Sequence, residues 1–166
     1  MITKFKQKEY SLLKNENFLK LGEEISFTAT NTMFEDVKLE KFNQLTVISV
    51  FPSLNTRVCD EQTKEISKLA SEFEDVRFIS ISLDLPSAIA EWKSVNMLPN
   101  IEIYSDYKRR EFGLKYGFLI DEIFLLDRGF IVINDQNKVI DFSYNENVHD
   151  QISFEKIKSI ILDNKK

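Results

Sequence analysis

The chain reads as an α/β domain with a mixed sheet, and three consecutive stretches predict it. Leu45 to Phe51 (LTVISVF) is a β-branched apolar run of the length of a strand buried on both faces. Beyond Cys59, Ile66, Leu69, Ala70, Phe73 and Val76 recur at spacings of three and four, with Lys64, Glu65, Lys68, Glu72 and Glu74 on the other side, the pattern of an amphipathic helix. Val76 to Leu83 alternates and then condenses into a second strand. Strand, helix, strand is a βαβ unit, whose parallel pair requires a right-handed crossover.

The remaining elements follow in order. Ile25 to Thr30 and Val37 to Phe42 are strand-like and are separated by Asn31-Thr32 and Glu35-Asp36, which suits a hairpin appended before the main core. Pro86 stands where a helix opens, and the stretch through Asn96 puts Trp92 and Val95 on one side of it. Phe130 to Asn134 and Lys138 to Asp141 flank the turn-rich Asp135-Gln136-Asn137, predicting an antiparallel hairpin. Phe154, Ile157, Ile160 and Ile161, again three and four apart, predict a final helix. No repeat or Pro/Gly/Ser-rich linker divides the chain, so residues 1–166 are expected to form a single domain.

Composition narrows the function. A hydrophobic fraction of 43% with fourteen Phe supports a packed core. The net charge of −5 disfavours nucleic acid and anionic membrane surfaces as partners, since both need a positive field. Lys108-Arg109-Arg110 is too short to overturn that and reads as a solvated loop or helix end. The N-terminal segment has no signal-peptide pattern, and no apolar run approaches the roughly 20 residues of a spanning helix. A single cysteine forms no internal disulfide, so a reducing cytoplasm fits best. One Cys and one His leave no zinc site, and neither a Cys-x-x-Cys pair nor a Gly-rich phosphate loop is present. His149, in a polar stretch, reads as an exposed loop residue, and the carboxylates on helix faces read as solvated surface.

Cys59 is the residue through which chemistry enters. A lone cysteine is usually a small buried hydrophobe. This one falls in the first turn of the predicted helix, where unpaired N–H groups and the helix dipole stabilise a thiolate. Asn55 and Thr56 are both able to cap that turn, and Thr56 is alternatively able to turn its hydroxyl toward a bound oxygen. Asp60 and Glu61 suit the helix dipole but disfavour a neighbouring thiolate, so a cation is needed. Arg57 is near in sequence; Arg128, just ahead of the strand at Phe130, is a second candidate from an adjacent strand.

The run Pro52 to Cys59 (PSLNTRVC) resembles the active-site loop of peroxiredoxins, with Pro, three residues, Thr, two residues and Cys. It is similar in particular to the bacterial thiol peroxidase subfamily. Ser82-Leu83-Asp84-Leu85-Pro86 with Ala88 and Trp92, Ser105-Asp106 with Phe112-Gly113 and Tyr116-Gly117, and Leu126-Asp127-Arg128 continue the likeness in register. The resemblance implies a thioredoxin-like fold, a central mixed sheet flanked by helices with an N-terminal β-hairpin extension. It further implies a homodimer that reduces hydroperoxides without metal or organic cofactor. Within it Cys59 is the peroxidatic cysteine, Pro52 shields it, Thr56 binds the peroxide oxygens, and Arg128 stabilises the thiolate and the developing charge.

The sequence departs from that subfamily where the latter carries a resolving cysteine, after the Trp: here Lys93 stands there. With no other cysteine, a sulfenic acid on Cys59 is reducible only by a thiol from another molecule, a small thiol or a thioredoxin-like donor. Asn55, Arg57 and Glu91 replace the usual Asp, Pro and Arg, so the surface offered to a reductant is expected to differ. Arg57 adds a charge able to help the thiolate, and Lys93 reads as a solvated lysine. Two functions fit: a one-cysteine hydroperoxide reductase, or a peroxide-sensing or noncatalytic dimer that kept the fold and lost turnover.

Overall fold

The computed structural model describes residues 1–13, 18–98 and 101–164. Its elements are β1 (Ile2–Phe5), β2 (Lys8–Leu13), β3 (Phe27–Thr30), β4 (Asp36–Leu39), β5 (Thr46–Val50), α1 (Arg57–Glu72), β6 (Arg77–Ser82), α2 (Pro86–Asn96), β7 (Glu102–Ser105), α3 (Glu111–Tyr116), β8 (Leu119–Ile120), β9 (Gly129–Ile133), β10 (Val139–Tyr144) and α4 (Phe154–Asp163). A seven-stranded mixed sheet runs β10-β9-β5-β6-β7-β3-β4, and a small sheet runs β1-β2-β8. β5, β6 and β7 are parallel neighbours, while β9 lies antiparallel to β5. The expected βαβ unit is therefore β5-α1-β6, at the centre of the sheet.

Alternation along β5 explains its sequence. All five residues are buried, with Ile48 and Val50 in one apolar layer and Val47 in the other. The first layer packs Phe27, Phe112, Tyr116 and Phe118 on one face; the second packs Ile66, Leu69 and Phe73 of the α1 region with Ile157 and Ile161 of α4 on the other. A strand between two such layers has no polar face, hence the continuous apolar run. Regular pairing stops at Pro52, which has no N–H to give the ladder.

Three expectations are modified. The β3–β4 hairpin is not an appendage; Thr30 pairs with Ser105, joining it to β7 as the sheet's edge. The appended hairpin is β1–β2, whose polar alternation conceals it; it meets β8 and, through Lys4, the segment after β10. Trp92 and Val95 do share a side of α2 and line one cleft, but Val95 is 76% exposed, and Ile89 and Pro86 make the buried contacts of the helix. The β9–β10 hairpin and α4 form as the pattern predicts, α4 capped by the Ser153 hydroxyl accepting from the Lys156 N–H. Lys108 and Arg109 are surface cations paired with Asp36.

Candidate active site

The chain leaves the buried end of β5 through Pro52 and enters α1 at Arg57, so the loop 52–56 and the first turn of α1 form one unit. Asp84, in the turn between β6 and α2, holds that loop. Its carboxylate accepts from Ser53 Oγ (2.7 Å), the Leu54 N–H (2.8 Å) and Ser82 Oγ (2.7 Å). Its own carbonyl takes the Ser105 hydroxyl, which anchors the turn to β7.

Cys59 is the third residue of α1 and is fully buried. Helix bonding begins with the Asp60 N–H donating to the Thr56 carbonyl (3.0 Å), so the Arg57, Val58 and Cys59 N–H groups precede the first intrahelical bond. Thr56 occupies the cap position in an extended conformation, but its side chain does not cap. Instead its hydroxyl donates to the Ser53 carbonyl at 3.0 Å. That bond uses the one hydroxyl proton and leaves the oxygen lone pairs of this exposed residue as acceptors. Of the two roles open to Thr56, capping is thus excluded in this conformation.

Arg128 reaches the thiol across the sheet. Its Nη2 donates to Cys59 Sγ at 3.3 Å, Nη1 donates to Gln62 Oε1 at 2.7 Å, and Nε donates to the Val148 carbonyl at 2.7 Å. Arg128 is 2% exposed, so its charge acts with little solvent screening. Gln62 is itself fixed, its amide donating to Ser49 Oγ (2.7 Å) and the Val50 carbonyl (3.1 Å) of β5. Gly129, next in sequence, makes this close packing possible: a Cβ there would lie 2.0 Å from the Ser143 carbonyl oxygen of β10. A side chain at 129 would push away β10 and with it the strand end leading to Val148.

The other charged candidates point elsewhere. Arg57 pairs outward with Glu61 (3.0 Å) on an exposed face and does not serve the thiol. Asp60 divides its oxygens between the Trp92 indole N–H (2.9 Å) and Lys64 (2.9 Å). Both carboxylates flagged as hostile to a thiolate are therefore paired along the outer side of α1. Lys93 Nζ donates to the Ile101 carbonyl at 3.3 Å, tying α2 to the start of β7 rather than standing free in solvent. His149 is exposed, accepts from the Lys6 N–H and stacks on Phe5. Gln62 and the Val148 carbonyl escaped the sequence reading, and Asp84 entered it only as a member of the Ser82–Pro86 motif, with no role of its own. Gln62 had a signal there, since a position three beyond Cys59 shares its helix face.

Comparison with known proteins agrees with the fold and the motifs. Residues 22–142 match the AhpC/TSA family. The chain is 35% identical to a thiol peroxidase of Clostridium acetobutylicum over 158 residues, 95% of each chain. It is 36% identical to one of Staphylococcus saprophyticus over 159 residues, 95% of this chain and 93% of the relative. Among solved structures, a peroxiredoxin-like protein from Aquifex aeolicus superposes with a TM-score of 0.91 at 22% identity, covering 99% of this chain and 97% of that one. A thiol peroxidase from Chromobacterium violaceum gives 0.88 at 21% identity, covering 99% and 98%. A thiol held at a helix N-terminus by a buried arginine, on a thioredoxin-like sheet whose sequence matches these relatives over nearly its whole length, places the chain in the AhpC/TSA family, in its thiol peroxidase branch.

Proposed function

We propose that the chain is a one-cysteine thiol peroxidase that reduces hydrogen peroxide and alkyl hydroperoxides at Cys59. The observation that carries this reading is the 3.3 Å contact between Arg128 Nη2 and Cys59 Sγ inside a buried first turn. The thiolate attacks one peroxide oxygen; the O–O bond breaks, Cys59 becomes a sulfenic acid, and the leaving oxygen departs as water or alcohol after taking a proton. Arg128 and the open N–H groups of the first turn stabilise negative charge on sulfur and on the leaving oxygen. Thr56 accepts a hydrogen bond from the peroxide O–H, and Pro52, buried beside the loop, keeps bulk water from the sulfur.

Reduction then consumes two external thiol groups. The first condenses with the sulfenic acid, releasing water and leaving a mixed disulfide; the second attacks that disulfide and frees Cys59. A small thiol or a thioredoxin-like protein fits the donor role. Residues 1–166 act as one domain in a cytoplasmic homodimer, which sedimentation of the reduced protein at micromolar concentration tests; a monomer there would refute the dimer. No helix among the described residues is long and apolar enough to cross a membrane.

Mass spectrometry after one equivalent of peroxide tests the cycle. The expected product is one added oxygen on Cys59, converted to a mixed disulfide by added thiol and back to the free thiol by excess. The single cysteine also favours a second reading, a sensor that is oxidised once and signals. That reading prevails if no thiol supports repeated turnover and oxidation changes binding to another protein.

A further inference from the structure

The cleft that Trp92 and Val95 line opens beside the cysteine turn, and the attack on peroxide makes no use of it. It encloses about 320 Å³ between the loop 52–56 and α2. Leu54, Ala88, Trp92 and Val95 give it apolar walls, while Asp84 and Glu91 bring two carboxylates to it. No lysine or arginine among the described residues lines it. The two acids are not equivalent. Asp84 already accepts from Ser53, Leu54 and Ser82, so its oxygens serve the loop it anchors. Glu91 is exposed and has no ion-pair or hydrogen-bond partner among the described residues. Lys93, two positions on, reaches away to the Ile101 carbonyl and leaves that charge uncompensated.

The cleft shares its walls with the cysteine turn. Leu54 lies in the loop that leads to Cys59, and the Trp92 indole N–H donates to Asp60, the residue after Cys59, at 2.9 Å. On the other flank the Gln151 amide donates to the Val58 carbonyl at 3.1 Å. The turn is thus tied from α2 and from the segment before α4, and Cys59 within it is fully buried. A sulfur on the surface of a folded protein does not meet Cys59 while these ties hold. One at the end of a short flexible chain needs a far smaller opening, and the cleft offers a seat to the rest of such a molecule. The sign of the cleft selects the molecule: its carboxylates attract an ammonium group and repel a carboxylate. A carboxylate beside an indole and short aliphatic groups suits a small organic cation.

We propose that the cleft between the loop 52–56 and α2 binds the thiol that reduces oxidised Cys59, and that this donor is a small aminothiol, a thiol with an ammonium group on a short chain. The ammonium pairs with Glu91 while the donor sulfur attacks the sulfenic sulfur of Cys59. An S–S bond forms, the S–O bond breaks, and the hydroxyl leaves as water with the thiol proton. A second aminothiol attacks the donor sulfur of the mixed disulfide, freeing Cys59 as a thiol and releasing the donor as its own disulfide. Glu91 sets which thiols are accepted and takes no part in bond making. The proposal rests on Cys59 forming a sulfenic acid with peroxide.

The test is the rate at which the sulfenic form of the intact chain, made with one equivalent of hydrogen peroxide, is reduced by three thiols of similar size: cysteamine, 2-mercaptoethanol and 3-mercaptopropionate, cationic, neutral and anionic in turn. Each rate is divided by that of the same thiol with a small soluble disulfide, which removes differences in thiolate fraction and nucleophilicity. In the wild type at low salt, cysteamine should lead 3-mercaptopropionate about five- to tenfold, and salt should shrink the lead. Glu91→Gln should lose most of it and Glu91→Arg should reverse it. Equal normalised rates in the wild type, or a lead that survives in Glu91→Gln, overturns the proposal. Trp92 is the one tryptophan of the chain, so its fluorescence reads the cleft directly. 2-(Methylthio)ethylamine, which keeps the ammonium and lacks a thiol, should change that fluorescence saturably in the reduced wild type and only at higher concentration in Glu91→Gln; no saturable change overturns the cleft as the binding site. If Cys59 forms no sulfenic acid, the peroxidase reading falls and the donor role with it. A sulfenic acid that all three thiols reduce equally overturns this proposal alone.

Discussion

Cys59 and Arg128 are each unremarkable alone and become a reactive pair through three fixed bonds. The Arg128 guanidinium spends one donor on a backbone carbonyl, one on Gln62 and one on sulfur, so its plane is set before any substrate arrives. Lysine would keep the charge and lose that fork. Arg128→Lys is expected to slow oxidation of Cys59 about 100-fold in stopped-flow, with the fold retained by circular dichroism; a change under threefold would show that charge alone suffices. The cysteine was legible in the sequence because its loop pattern is local. The destination of Arg128 was legible only through the family resemblance and not from local pattern, since 69 residues separate it from Cys59 and the β5–β9 pairing brings them together. Arg57 misled for the converse reason: two positions from the cysteine on a helix, it points to another face and takes Glu61 as its partner.

Element by element, apolar periodicity announced the buried parts and missed the polar ones. α1 and α4 bury a stripe that repeats at three and four, while β5, β6 and β9 are buried along nearly their whole length and read as strand-length runs. The β1–β2 hairpin is largely exposed and its few apolar residues are broken up by charges, so its existence depends on pairing partners far along the chain. The turn bearing Asp84 is another element-scale device without a periodic signature. It joins β6 and the cysteine loop through three accepted hydrogen bonds. Asp84→Ala strands those donors and is expected to cost about 2–3 kcal/mol in urea unfolding. It should also slow peroxide oxidation about tenfold, because the loop carrying Thr56 loses its anchor. A normal rate in a destabilised protein would confine Asp84 to stability.

At the scale of the molecule, two buried acids shape the response to pH. Burial raises both Asp106 and Asp127 from 3.8 to about 7, against the backbone N–H donors that Gly113 and Phe112 offer to Asp106 and the Thr3 hydroxyl at Asp127. The folded chain holds protons that the unfolded chain releases from about pH 4 upward, so stability falls as pH rises from about 4 to about 7 and the loss is complete above that. Each group contributes at most ~4 kcal/mol by its shift. Urea midpoints should be higher near pH 5 than near pH 8, and Asp127→Asn should flatten part of that slope; a midpoint rising over this range would contradict the burial of these carboxyls in neutral form. The central claim concerns the thiol itself, a single cysteine made reactive by a buried arginine and a helix N-terminus. The most direct measurement is the second-order rate constant for Cys59 with hydrogen peroxide at neutral pH, set beside that of free cysteine under the same conditions. A value at least about 100-fold above free cysteine is predicted; a value equal to that of free cysteine would contradict it.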